Sequence, residues 1–93
     1  QHPDDPRTSL GAFTLGRMLL RSSPSESAES FGFARRLDPD SSLAQDALAR
    51  EVEAWYLAGR PGRARELAEE YVSRWPDGLR VDTVRRFGGL ESP

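Results

Sequence analysis

The chain contains no cysteine, lysine, isoleucine or asparagine, and only one histidine and one methionine. Without cysteine there is no disulfide framework, no thiolate metal site and no thiol nucleophile. The single histidine, His2, lies in the opening stretch "QHPDDPR", away from any serine or acidic partner of defined spacing. That leaves no histidine general base, no Ser-His pair and no zinc site, and no cofactor is expected. No run approaches the roughly 18 apolar residues of a membrane span, and the first residues lack the basic-then-apolar pattern of a leader. All 13 basic residues are arginine, set against 15 acidic ones for a formal charge of −2, and they form no dense patch. A phosphate backbone needs such a patch, so nucleic acid is not an expected partner. The arginine-only usage fits a GC-rich coding sequence. The chain begins at Gln1, and its only methionine is Met18. It therefore reads as a processed or excised piece of a larger protein.

What remains is enough for one small domain with a single core. Residues 1–7 hold two prolines and no apolar partner, so they read as a flexible lead-in whose Asp5-Pro6 can start a helix. From Thr8 to Arg21, the residues Ala12, Phe13, Gly16, Leu19 and Leu20 fall on the 3.6-residue period, and Leu10, Leu15 and Met18 widen that face. A helix this apolar calls for cover on more than one side. "SSPSES" then stops it, and Ser23, Pro24 and Glu26 read as a capping box opening a second helix to about Leu37. Its inward set is Ala28, Phe31, Ala34 and Leu37, with Phe33 off that line.

Pro39 ends the second helix, and Asp40 or Ser41 can cap a third over about 42–58, with Ala44, Ala47, Leu48, Val52, Trp55 and Ala58 on one stripe. Gly59 sits where a left-handed cap is wanted and Pro61 opens a fourth helix. Ala64, Leu67, Ala68, Tyr71, Val72 and Trp75 give it the cleanest amphipathic spacing in the chain. Asp77 is expected to cap a last helix over 78–88, with Leu79, Val81, Val84 and Phe87 as its apolar residues. No segment shows strand alternation, so the fold class is all-α.

The phrases "LDPDS" and "RWPDG" place Pro39-Asp40 and Pro76-Asp77 at equivalent points 37 residues apart, each closing a pair of helices. In the second pair the core residues Leu48, Val52 and Trp55, the small Gly59 at the turn, the packing residues Ala64, Ala68 and Tyr71, and the terminal Pro76 occur in order. Over roughly residues 45–78 this pattern resembles the tetratricopeptide (TPR) repeat, a helix-turn-helix unit of about 34 residues. The first pair is looser. Leu15-Gly16, Phe31, Ala34 and Pro39 fit, while "RSSPSES" needs about one extra residue and leaves Ala28 one place out of register. The resemblance implies two TPR-like pairs, over 8–40 and 42–77, plus a capping helix, because a single pair cannot bury its apolar stripe alone. The ending "YVSRWPDG" is also similar to bacterial envelope repeat proteins and to the helical repeats of FecR-type anti-sigma regulators, which implies a periplasmic or membrane-anchored bacterial parent.

Among chemistry-bearing groups, Asp46 with Glu53, and Glu66 with Glu69 and Glu70, lie between arginines on helix surfaces and read as solvated charge. "GRPGR" at 59–63 follows no strand and lacks the lysine of a phosphate loop, so it reads as helix punctuation. Trp55, Tyr71 and Trp75 fall on buried stripes, whereas Phe33 and Tyr56 lie off them. No enzyme activity is expected. The TPR resemblance implies instead that first helices line a concave face receiving a partner's peptide or helix. Carried over by position, that face presents Phe13, Arg17 and Leu20, then Asp46, Ala49, Glu53 and Tyr56, and finally Arg80. Its mixed sign does not suit a clamp for a C-terminal carboxylate. The other expectation is a structural or oligomerisation unit whose first helix packs on a copy of itself.

Overall fold

The computed structural model describes residues 5–91. It contains five helices, α1 (Ser9–Leu19), α2 (Pro24–Leu37), α3 (Ser42–Leu57), α4 (Pro61–Arg74) and α5 (Val81–Phe87). There is no strand among the described residues, in agreement with the all-α expectation. His2 and residues 1–4 of the lead-in lie outside them.

The helix starts follow from local chemistry, not always the chemistry expected. Thr8 caps α1, its hydroxyl accepting from the Gly11 amide at 2.9 Å and donating to the Asp5 carbonyl at 2.8 Å. Asp5-Pro6 therefore belongs to an ordered turn ahead of the helix, closed by the Thr8 amide on the Asp5 carbonyl. Ser23 precedes α2 but makes no side-chain cap, so the capping box is not formed. Pro24 at the first helical position removes one orphan donor, and the Ser23 backbone (φ −145°, ψ 68°) is not in the extended conformation that aims a capping hydroxyl at the following amides. Ser41, rather than Asp40, caps α3 by accepting from the Ala44 amide. Gly59 ends α3 region with φ +77°, as its left-handed role required.

The last helix is shorter than its sequence suggested. Asp77 does not cap it. The chain turns once from Trp75 to Gly78 and again from Gly78 to Val81, and α5 begins only after Arg80. The double turn leaves Leu79 outside the core, 95% exposed.

Packing is layered by neighbours in the chain. Helix α2 packs against α1 and α3, α4 packs against α3 and α5, and the backbones of α2 and α4 do not approach each other closely. Helix α3 also meets α1 and α5, so α1, α3 and α5 form one layer and α2 and α4 the other. The result is a slab of 46 × 28 × 16 Å. One apolar cluster holds Ala12, Phe13, Ala28, Phe31, Ala34, Ala47 and Ala54, and a second holds Leu48, Ala49, Val52, Ala64, Leu67, Ala68, Tyr71 and Val84. Trp55 is packed against both. Fully burying a side chain such as Phe31 or Leu48 contributes about 1.5–3 kcal/mol.

Close approach of the helices depends on small residues and buried hydroxyls. Gly16 faces the Phe31 ring, where an added Cβ would lie 2.9 Å from three ring carbons. Next to it Ser27 donates to the Gly16 carbonyl at 2.6 Å, and Ser9 donates to the Ala34 carbonyl at 2.6 Å. These bonds satisfy hydroxyls that would otherwise be costly inside the α1–α2 contact. At the other end Gly88 lies against Ala68, and Arg65 donates to the Gly89 carbonyl at 2.8 Å.

Candidate functional site

The eight residues expected on the concave face belong to α1, α3 and the approach to α5, the three segments of one layer. They separate into three groups. Phe13 and Ala49 are core residues. Phe13 is 7% exposed and meets the Phe31 ring edge-on, with centroids 5.4 Å apart, while Ala49 is buried in the same cluster as Val84. Phe13 is covered by Phe31 of α2 and Arg50 of α3, and Ala49 packs in the cluster that α5 joins through Val84, so neither offers surface to a partner.

Asp46 and Arg80 form the second group and are joined to each other. The Arg80 guanidinium donates through Nε to Asp46 Oδ1, and Arg50 approaches Asp46 Oδ2 at 3.5 Å. This interaction ties the approach of α5 to α3. Beneath it, the buried Tyr71 hydroxyl accepts from the Arg80 amide at 3.2 Å and from Gln45 Nε2 at 3.3 Å. Gly78 is required here, because a Cβ would fall 2.6 Å from the Tyr71 oxygen and 2.8 Å from Gln45 Nε2. A shallow cavity of about 270 Å³ lies over this cluster, lined by Ser42, Gln45, Asp46, Tyr71, Leu79 and Arg80. Its charges are matched within the fold, so it does not present a free cation or anion.

Arg17, Leu20, Glu53 and Tyr56 form the third group. Arg17 and Tyr56 are exposed, and Leu20 and Glu53 are half-buried. Tyr56 is 50% exposed, and its ring leans on Phe87 of α5 with centroids 5.3 Å apart. Neither Arg17 nor Glu53 has an ion-pair partner among the described residues. Leu10 and Leu57, exposed on α1 and α3, were not foreseen as surface residues. In α3, Leu57 lies one turn beyond Glu53, so its exposure follows the helical period. Between α1 and α3 the Arg50 guanidinium lies 5.5 Å from the centroid of the Phe13 ring, covering the core residue with a charge.

The most consequential residue missed by the sequence reasoning is Glu51. It is buried between α2 and α3, where Oε1 accepts from Arg35 Nε at 2.6 Å and Oε2 from Trp55 Nε1 at 3.0 Å. Gly32 of α2 leaves the space, since a Cβ there would sit 3.2 Å from Glu51 Oε2. Both carboxylate oxygens are used by the fold, and the group is closed to substrate. Elsewhere, the Arg7 side chain and amide beside Asp5 hold its carboxyl below the ordinary carboxylate range, and Asp5 in turn raises the Arg7 guanidinium.

Among the described residues no group of His, Asp or Glu is arranged to hold a metal ion, and no helix is long and apolar enough to cross a membrane. The TPR-type envelope and anti-sigma likenesses rest on the residues quoted above alone: no family model, no curated protein and no solved structure matches the chain.

Proposed function

We propose that the chain is a TPR-like, non-enzymatic interaction module that binds a peptide or helix of another protein on the α1–α3–α5 layer. The repeat reading is supported by the alternation in which α2 bridges α1 and α3, α4 bridges α3 and α5, and the two bridging helices stay apart. It accords with the Pro-Asp stops after each pair. The observation that carries the binding reading is that on this layer Arg17, Tyr56 and Leu57 are exposed and Glu53 half-buried, while neither Arg17 nor Glu53 has an ion-pair partner among the described residues. Such a mixture, an amphipathic aromatic beside unmatched charge, is the composition of contact surfaces. Phe13, Ala49, Asp46 and Arg80 hold that surface in shape from beneath and beside it.

The test is selection of peptides from a displayed library on the folded domain, repeated with Glu53→Arg and Tyr56→Ala. The reading expects enriched peptides that lose binding to both variants while far-ultraviolet circular dichroism is unchanged. Peptides that bind all three proteins equally, or no enrichment, would overturn it. A second reading, a structural spacer that self-associates in an envelope or anti-sigma regulatory protein, is favoured by a different observation, the exposure of Leu10 and Met18 on α1.

A further inference from the structure

On the two-helix layer the backbones of α2 and α4 stay apart, and α3 forms the floor of the gap between their C-terminal ends. A cavity of about 160 Å³ lies there, lined by Arg35 and Arg36 from α2, Pro39 from the loop that follows, Arg74 from α4, and the buried Ala44 and Leu48 of α3. Three of these six residues are arginine and none is acidic; Asp38 and Asp40, which flank Pro39, are not among them. The dipole of a helix favours arginine in its last turn, which accounts for each residue on its own helix. It does not account for three arginines from two helices lining one hollow.

Two of the three are held in place by the fold. Arg35 donates through Nε to the buried Glu51 carboxylate at 2.6 Å, and its side chain is 16% exposed. That bond uses one of the five guanidinium donors. Nη1 and Nη2 make no hydrogen bond to a described residue, and since no buried side-chain nitrogen there lacks a partner, they reach open space. Arg74 donates through Nη2 to the Pro39 carbonyl at 3.3 Å, and its guanidinium carbon lies 4.3 Å from the centroid of a Trp75 ring. Arg36 is exposed and has no ion-pair partner among the described residues. Its Nη1 lies back over Gly32, where an added Cβ would be 2.9 Å away.

Charge selects what such a hollow takes. Glu51 balances one of the three positive charges, and Glu70 screens part of a second, since it approaches Arg74 Nη1 only to 3.8 Å with the two side chains 41% and 40% exposed. An excess of about one to two positive charges remains. A phosphate group carries about −1.5 to −2 at neutral pH and matches that excess, whereas a carboxylate brings a single charge. The forked donors of arginine also suit several oxygens on one centre. A hollow of this size admits one such group, not the track of phosphates in a nucleic-acid backbone.

We infer that the α2–α4 cavity is a phosphate-binding site, with Arg35 and Arg74 as fixed donors and Arg36 as the arm that completes the set. The phosphate is either free or carried on a phosphorylated side chain. The site lies on the layer opposite the proposed peptide-binding face, so either can fail without the other.

The test is titration of the full chain with inorganic phosphate at constant ionic strength, followed through the arginine Nε–H resonances, with sodium chloride as the reference salt. Saturable shifts at Arg35, Arg36 and Arg74 are expected, with a dissociation constant on the order of a millimolar. Arg36→Gln breaks no ion pair of the fold and should weaken binding at least about fivefold, with circular dichroism unchanged. Arg21→Gln removes the same charge ahead of α2, outside the cavity lining, and should leave the affinity as it is. A short peptide carrying phosphoserine, beside its unphosphorylated form, separates the two sources. Tighter binding than inorganic phosphate, lost without the phosphoryl group, assigns a modified partner protein; binding no tighter assigns the free anion. No saturation up to about 50 mM phosphate overturns the inference. Equal shifts with chloride overturn it too, as does an affinity indifferent to Arg36→Gln or weakened as much by Arg21→Gln.

Discussion

Replacing Glu51 with alanine tests the interior of the fold more sharply than any surface change. The carboxylate side chain is 3% exposed and that of Arg35 16%, and their contact at 2.6 Å joins α2 to α3. Removing the carboxylate leaves a guanidinium with little access to water and no counter-ion, and it leaves the Trp55 indole N–H without its acceptor. Breaking a buried pair from one side costs about 3–5 kcal/mol, and the residual hydration of Arg35 places this case near about 3 kcal/mol. For a domain of this length that is a loss of about 12–24 °C in melting temperature, readable by circular dichroism. Removing both charges together, with Glu51→Leu and Arg35→Met, replaces the pair by apolar volume and should return most of the loss. A Glu51→Ala protein destabilised by less than about 1 kcal/mol would refute the reasoning, because it would mean that water reaches the pair in the native state.

Other outcomes follow from contacts already described. Gly16→Ala should destabilise by about 1–3 kcal/mol in chemical denaturation despite alanine's better helix propensity, because the Phe31 ring occupies the space the new methyl needs. Gly59→Ala meets no atom within 4 Å, so its cost should be the purely conformational one of a positive φ, about 1 kcal/mol in the same assay. Asp46→Asn should loosen α5 selectively, seen as faster amide exchange at Val84, with a global cost under about 1 kcal/mol because the ion pair with Arg80 is partly exposed. The Asp5 carboxyl titrates below its ordinary 3.8 in the folded chain, so the tie to Arg7 is fully present above that pH and is lost as pH falls through the lower folded value. The Arg7 amide resonance, which reports its bond to Asp5 Oδ1, should move in that acid window and stay still at higher pH.

Much of the architecture was written in local chemistry. The apolar spacing of α4, the stop at Pro39 and the glycine after α3 each act through neighbours within a few residues, and the helices stand where those neighbours place them. The capping box at Ser23 failed because a side chain of the right type caps only if its own backbone is correctly turned, and the cap at Asp77 failed because two successive turns delay the helix until after Arg80. Glu51 was legible in principle. It lies four residues after Ala47, three after Leu48 and four before Trp55, inside the apolar stripe of α3, and a charge in that position asks for a buried counter-ion. The partner, Arg35, is 16 residues away on another helix, a pairing no periodicity specifies. The concave-face candidates divided for a similar reason. Position on a helix put Phe13 and Ala49 with Arg17 and Glu53, but packing against residues distant in sequence, Phe31 for Phe13 and Val84 for Ala49, decided which of them met water.

Because α3 alone contributes to both apolar clusters, with Trp55 spanning them, the two halves of the slab cannot melt independently. Loss of either half strips one flank of the same central rod. The indole of Trp55 should thus report a single sigmoidal transition in denaturant, superimposable on the backbone signal, from a molecule whose outward design is modular.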